Sequence, residues 1–444
     1  MIDISPELVT LIMLGGVFIG VLTGFPLAIP IGGMAVIMGF LLYGTPSFHL
    51  VYSRVYSMLT NYTLLAVPCF IFMGGMLERS GIAARMYDAL YLWLGGLRGG
   101  LALVTIVLGT VLAACVGVIA ASITMLAMVA LPAMLSRGYD KGLASGAVIA
   151  GGCLGILIPP SIMLIIYGPM AMISVGRLFM AAFIPGLLLS ALYMTYIIVR
   201  CILQPKIGPP IPVSDRDVPL AAKTKLLVTS LLPTAVLILA VLGVIFLGVA
   251  APTEAAASGA LVATILALLY RKLDLKVLYG TALETFRLTG MILLIASCAG
   301  AFVGIFLSAG GGGVVEDFIL SAPGGRWGSF AIVMLVIFLL GFFIDWIGIL
   351  FIVVPIISPL APALGFDPLW FAMMICINLQ SSFMTPPFAV GIFFLRGSAS
   401  PSLGLTMADI IRGVTPFVIL VLVGLVLCIV FPQIITWLPA QMIR

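Results

Sequence analysis

Two stretches of this chain carry the same prolines, glycines and aspartates in a single register. Pro132, Gly138, Tyr139, Asp140, Pro159 and Pro160 recur as Pro359, Gly365, Phe366, Asp367, Pro386 and Pro387, 227 residues further on. An offset that never slips marks an internal duplication, so both copies must reach the same local structure. Composition decides what kind of unit was duplicated. The chain has 444 residues, of which 63% are hydrophobic and 8% charged. Soluble domains carry about a quarter charged residues, so the chain reads as an all-α polytopic membrane protein. A Pro-Pro pair inside an apolar run breaks a helix. Paired broken helices in duplicated membrane units hold substrate and ions near the bilayer midplane.

Several function classes drop out. The start, Met1-Ile-Asp-Ile-Ser-Pro-Glu7, lacks a basic leader region, so no cleavable signal peptide is expected. Seven cysteines lie in apolar segments without a CxxC pair, which supports neither a disulfide framework nor a zinc site. His49 is the only histidine and is assigned to a loop, which excludes histidine metal clusters. No GK[ST] follows Gly310-Gly-Gly-Gly313, so these glycines read as a turn rather than a phosphate loop. No reactive pair lies deep in an apolar run, so an enzyme is not expected, nor is an organic cofactor.

Apolar runs predict spanning helices at 7–24, 26–43, 57–79, 142–170, 174–203, 224–248, 253–271, 287–309, 368–396 and 407–436. The more charged stretches 80–98 and 272–286 read as amphipathic arms along the membrane surface. Residues 101–136 and 328–363 are too long for one helix and too short for two crossings, so each reads as a re-entrant hairpin. Their tips are Ala113–Ser122 and Gly341-Phe-Phe-Ile-Asp345. This gives an N-terminal pair of scaffold helices (1–56), a first repeat (57–203), a connector with further scaffold helices and the second arm (204–286), a second repeat (287–436) and a short tail (437–444). With hairpins counted as no crossing, sixteen lysines and arginines, Arg216 among them, share one side. Only Arg54, Arg177, Arg326 and Arg444 fall on the other. The rich side is then cytoplasmic, both termini are external, and an odd number of crossings between the copies makes the repeats inverted.

Each repeat offers a hairpin tip beside a broken helix. Proline frees backbone carbonyls near Pro159 and Pro386, and these join serine and threonine hydroxyls as hard oxygen ligands suited to Na⁺. Asp345 is the one carboxylate deep in an apolar run, and a bound cation is its natural partner, with a wet external vestibule as the alternative. The polar run Asn378, Gln380, Ser381 and Ser382 lines a substrate path or bonds neighbouring helices; with Ser122 at the first tip, it supplies the candidates for solute contact. Glu254 complements a helix dipole beside a capping Thr253, and Arg396 reads as a topology anchor.

At these residues the sequence resembles the large membrane subunit of the tripartite ATP-independent periplasmic (TRAP) transporters, over essentially the whole chain. The carrying segments are Leu131-Pro-Ala-Met134 with Arg137-Gly-Tyr-Asp140, Leu154-Gly-Ile-Leu-Ile-Pro-Pro-Ser-Ile162, Ala251-Pro-Thr-Glu-Ala-Ala-Ala257, Gly341-Phe-Phe-Ile-Asp345, Leu364-Gly-Phe-Asp-Pro368 and Asn378-Leu-Gln-Ser-Ser-Phe-Met-Thr-Pro-Pro387. The resemblance implies a multi-pass bacterial inner-membrane subunit working with a small four-helix membrane subunit and a periplasmic substrate-binding protein. It implies import of an organic acid on a Na⁺ gradient, by an elevator in which a transport domain moves against a scaffold. It implicates Gly117, Ser122, Gly155 and Pro159 in one Na⁺ site, and Gly341, Asp345, Met384 and Thr385 in another. At the first tip the sequence Cys115-Val-Gly-Val-Ile-Ala-Ala-Ser122 has fewer hydroxyls than the family's usual Gly/Ser-rich stretch. A stand-alone organic-anion transporter without a binding protein is the alternative.

Overall fold

The computed structural model describes residues 4–442 apart from 213, 215–217 and 388, and every regular element among them is a helix. Arg216 and Arg444, used in the charge count, lie outside the described residues. The chain opens with α1 (Pro6–Leu22) and α2 (Ala28–Tyr43), then α3 (Pro46–Leu59) and α4 (Ala66–Arg79), which meet at a 50° bend. Next come α5 (Ile82–Leu94), α6 (Gly100–Val116), α7 (Ile119–Ser136), α8 (Lys141–Cys153), α9 (Ile162–Ala171) and α10 (Val175–Leu203). α11 (Leu220–Ile238) passes through a π-helical turn into α12 (Val244–Phe246), and α13 (Pro252–Leu269) follows. The second half comprises α14 (Leu275–Ser308), α15 (Gly311–Leu320), α16 (Gly325–Leu340), α17 (Trp346–Ile357) and α18 (Leu360–Ala363), then α19 (Pro368–Ser382), α20 (Val390–Ser398), α21 (Met407–Val430) and α22 (Gln433–Ala440).

The 227-residue offset survives at the level of single hydrogen bonds. Asp140 Oδ1 accepts from Leu143 N at 2.9 Å, and Asp367 Oδ1 accepts from Trp370 N at 2.8 Å. Each aspartate satisfies a first-turn donor that α8 or α19 would otherwise leave bare. Just before them, Tyr139 N donates to Met134 O and Phe366 N to Ala361 O, while Gly138 and Gly365 take φ of 78° and 72°. Both Pro-Pro bonds, Pro159–Pro160 and Pro386–Pro387, are cis. Because the two caps do the same work, Asp140→Ala and Asp367→Ala are expected to destabilise the protein equally, by about 1 kcal/mol each. Thermal melting of the two purified variants checks this.

Each hairpin stretch turns back on itself. Leu101 N, at the start of α6, donates to Tyr139 Oη just past the end of α7 (3.1 Å), and Thr105 Oγ1 lies 3.8 Å from Met134 Sδ. In the second copy Trp327 and Phe330 of α16 pack on Phe366 beyond α18, with ring centroids 5.2 and 5.5 Å apart. The chain reverses at Gly117–Val118 in the first copy, where Gly117 has φ 66°, and at Gly341–Asp345 in the second. Among the described residues six helices are long and apolar enough to cross a membrane alone, or seven with α3 and α4 counted as one bent span.

Within 80–98, α5 buries Ile82, Met86 and Leu90 against α6 and α11 and leaves Arg85 and Asp88 exposed, so it is amphipathic. The buried residues recur at four-residue spacing and form a core-facing stripe. The stretch 272–286 is not a separate element, because α14 runs unbroken for 34 residues from Leu275. Its copy-related partner is α3: Tyr52 and Tyr279, 227 positions apart, are 68% and 70% exposed. His49 therefore sits in α3 rather than in a loop, and the duplicated region begins earlier than residue 57. Gly310 makes the expected turn at φ 84°, but Gly311–Gly313 already belong to α15. Pro252 takes the first position of α13 and makes Ala251, not Thr253, the cap. Glu254 reaches back to Ala251 N at 3.0 Å. Arg396 donates to Leu405 O at 2.5 Å, which pins the loop between α20 and α21.

Candidate functional site

At the first break the helical pattern stops because Pro159 and Pro160 lack backbone donors. A short helical turn ends α8 at Ile156, and Ser161 restarts the chain as the cap of α9, its hydroxyl also donating to Ile156 O. The tip of the first hairpin lies directly against this break. A Cβ on Gly117 would stand 2.9 Å from Pro160 O, and one on Gly155 would stand 2.9 Å from Ser122 Oγ. Three of the four residues implicated in a first ion site, Gly117, Ser122 and Gly155, thus meet at one interface. Pro159 is buried next to it, and the approaching carbonyl is that of Pro160. Ser122 is fully buried, and its Oγ has no hydrogen-bond partner among the described residues. A buried hydroxyl left unpaired costs about 1–3 kcal/mol, so an ion or a water at this interface would relieve a real cost.

The second junction has the same construction with the hydroxyl on the opposite wall. Ser382 of α19 stands 227 positions after Gly155, and a Cβ on Gly341 would overlap its Oγ. Ser382 Oγ is also buried without a partner. Gly341, Asp345, Ser382 and Phe383 enclose a cavity of about 10 Å³, close to the space that one water or one small ion fills. Thr385 Oγ1 donates to Ser381 O at 2.7 Å and Met384 is buried, but neither lines that cavity.

Of the residues nominated for solute, Asn378 donates Nδ2 to Met334 O at 2.7 Å and Ser381 donates to Asn378 O at 2.6 Å. Both are thereby occupied with backbone acceptors. Ser122 and Ser382 sit at the two small junctions just described. Between the junctions lies a larger cavity of about 340 Å³. Its lining joins the first residues of four helices: Val118, Ile119 and Ala120 before and in α7, Ile162 of α9, Asp345, Trp346 and Ile347 at α17, and Val390 of α20. Ile71 of α4 and Leu288, Met291 and Ile292 of α14 close the other side. The lining is otherwise apolar, so these helix starts are its positive element, which favours an anion, and Asp345 opposes it. Asp345 is the single carboxylate among the described lining residues, and it faces both this cavity and the smaller one.

Sequence reasoning missed the helix starts in this lining. The offset itself could have found them, because it pairs Val118 with Asp345 and Ile119 with Trp346. It could likewise have placed Ser382 at the second junction through its pairing with Gly155.

The comparisons with known proteins agree on what this architecture is. A family model described as "Tripartite ATP-independent periplasmic transporter, DctM component" matches residues 14–434. The C4-dicarboxylate TRAP transporter large permease protein DctM of Pseudomonas aeruginosa is 29% identical over 409 residues, covering 92% of this chain and 93% of that one. The ectoine/5-hydroxyectoine TRAP transporter large permease protein UehC of Ruegeria pomeroyi is 29% identical over 430 residues, covering 94% and 95%. The sialic acid TRAP transporter permease protein SiaT of Haemophilus influenzae is 29% identical over 394 residues, covering 88% of this chain but 61% of that longer protein. Among solved structures, the Alcanivorax borkumensis YdaH transporter superposes with a TM-score of 0.60 at 15% identity over 97% of this chain and 99% of that one, a likeness of fold. These relatives are transport permeases rather than enzymes, and the chain belongs to the DctM family as a large permease subunit of a tripartite ATP-independent periplasmic transporter.

Proposed function

We propose that this subunit imports an organic acid or a related small anion, driven by Na⁺ and delivered by a periplasmic binding protein. The convergence of four helix N-termini on one cavity between two hairpin tips carries this reading. The solute occupies that cavity. One Na⁺ is held at Gly117, Ser122, Gly155 and the Pro159–Pro160 break. A second is held at Gly341, Asp345 and Ser382, with Met384 and Thr385 contributing from the break beside them. Two unpaired buried hydroxyls and an ion-sized cavity support both positions.

The wider architecture in this reading has about ten crossings, with α1, α2 and the shorter apolar helices completing those that span alone. The repeats are inverted, the termini are external, and the lysine- and arginine-rich side faces the cytoplasm of a bacterial inner membrane. The helices outside the hairpins and breaks, among them α1 to α4, α11, α13 and α14, largely form a scaffold, and the hairpins with their broken helices move against it as an elevator. A small membrane subunit and the binding protein complete the transporter, as the relatives' tripartite family name implies.

Reconstitution tests the proposal. Proteoliposomes with this subunit, the small subunit and the binding protein, under an inward Na⁺ gradient, are expected to accumulate a C4-dicarboxylate or a comparable acid, and omission of any one component or of Na⁺ should abolish uptake. Uptake by this chain alone would favour the stand-alone anion transporter instead.

A further inference from the structure

The central cavity shares Ile71, Val118, Ala120 and Leu288 with a second cavity of about 120 Å³, which leads away between α4 and α14. This passage reaches Glu78 near the end of α4, where Arg79 approaches Gly280, Lys272 approaches Gly81 and Arg85 lies over the Tyr270 ring. Its walls include two carboxylates, Glu78 and Glu284, together with Thr281 and Thr285. For an organic anion that arrangement alone would be a barrier, because like charges in a low-dielectric passage repel strongly.

Arg79 stands where it can remove the barrier. Its guanidinium donates to Glu284 Oε2 at 2.7 Å and to Thr281 Oγ1 at 2.5 Å, so it is held by two of the lining side chains. Glu284 lines the passage while Arg79 holds it from just outside the wall, and their side chains are 47% and 32% exposed, so the pair is not in a sealed core. An exposed ion pair of this kind adds little to stability, so bracing alone is a weak reason for it. In the other half Arg54 of α3, 227 residues before Thr281, lays its side chain against Gly304 of α14.

We infer that Arg79 sets the charge selectivity of this passage, offsetting Glu78 and Glu284 so that an anion can cross between the central cavity and the lysine- and arginine-rich face. The inference rests on the anion-import reading, and it adds a specificity-determining residue outside the cavity that holds the solute.

The test reads local charge without requiring the natural solute. Leu288→Cys puts a reporter thiol in the wall shared by the two cavities. In purified protein its rates of modification by a sulfonate-bearing and a trimethylammonium-bearing methanethiosulfonate are compared. Adding Arg79→Gln should lower the anionic-to-cationic rate ratio on the order of tenfold, and adding Glu284→Gln should raise it. Opposite signs are the signature of charge selectivity. If both substitutions shift the two reagents alike, the pair is only a brace between α4 and α14 and the inference fails. Should Arg79→Gln fold poorly, the Glu284→Gln result decides alone: an unchanged or lowered ratio overturns the inference. Because the readout is chemical, its failure is separate from a failure of solute uptake, which would instead count against anion import.

Discussion

Asp345→Asn is expected to abolish Na⁺ stimulation of uptake while leaving the protein folded. Asparagine keeps the size and one carbonyl oxygen of aspartate but removes the charge. A charged ligand lost from a buried site costs about 3 kcal/mol, roughly a hundredfold in apparent Na⁺ affinity. The loss falls on ion binding and not on folding, because an uncompensated carboxylate in this apolar setting is itself unfavourable. The two effects separate in a melting experiment. A ligand that binds only the folded state raises its stability with concentration, so wild-type protein should melt higher as Na⁺ is added, and Asp345→Asn should show a smaller rise, that of the first site alone. Ser382→Ala, which removes the unpaired hydroxyl facing the same cavity, should weaken Na⁺ by about tenfold. Thr385→Ala should do less, since its hydroxyl is already bound to Ser381 O. If Asp345→Asn keeps a wild-type Na⁺ response in both uptake and melting, the second ion site is elsewhere.

How far this site could be read from the residues depended on which signal was used. Proline pairs and the 227-residue offset located both breaks, because a missing backbone donor acts on the chain locally and needs no tertiary context. The same holds for Asp140 and Asp367, whose capping role is fixed by the next three residues. Charge was a poorer guide. Arg85, Asp88 and Arg98 made 80–98 look like a surface arm, whereas Arg85 lies over the Tyr270 ring at 4.7 Å, and Arg79 just before that stretch pairs with Glu284. Both partners come from a distant part of the chain, and only the fold shows them. The polar run at 378–382 left two readings open for a related reason. Asn378 and Ser381 spend their donors on backbone carbonyls, while Ser382, one residue on, keeps an open hydroxyl. Composition cannot separate these cases, since each depends on what the neighbouring helix presents.

The largest loss of stability is expected far from either ion site, at Gly413. α8 and α21 approach so closely that their glycines touch backbone to backbone. A Cβ on Gly413 would overlap the carbonyl of Gly142, and one on Gly146 would overlap the carbonyl of Gly413 and lie 2.8 Å from Phe417 Cε2. Gly142 and Gly146 form a small-residue pair one helical turn apart, the spacing that lets membrane helices pack without side chains between them. Rotamer changes cannot relieve a clash with a carbonyl, so the helices themselves must separate. Gly413→Ala is therefore expected to cost at least about 1–3 kcal/mol, and Gly413→Leu to prevent recovery of folded protein. Gly290→Ala is the control: it lies in α14 with nothing within 4 Å of the added carbon, and should be neutral or stabilising by up to about 1 kcal/mol. Detergent-stable yield and melting temperature of the three variants measure the difference. The consequence reaches function because α8 belongs to the first copy and α21 to the second. Their glycine contact is one of the seams where the two copies share a core, beside those of α9 with α17 and α7 with α20, so an intact α8–α21 seam helps two separately encoded breaks face one cavity. A Gly413→Ala protein as stable as wild type would mean that this seam is looser than its geometry implies, and that the two copies are held together elsewhere.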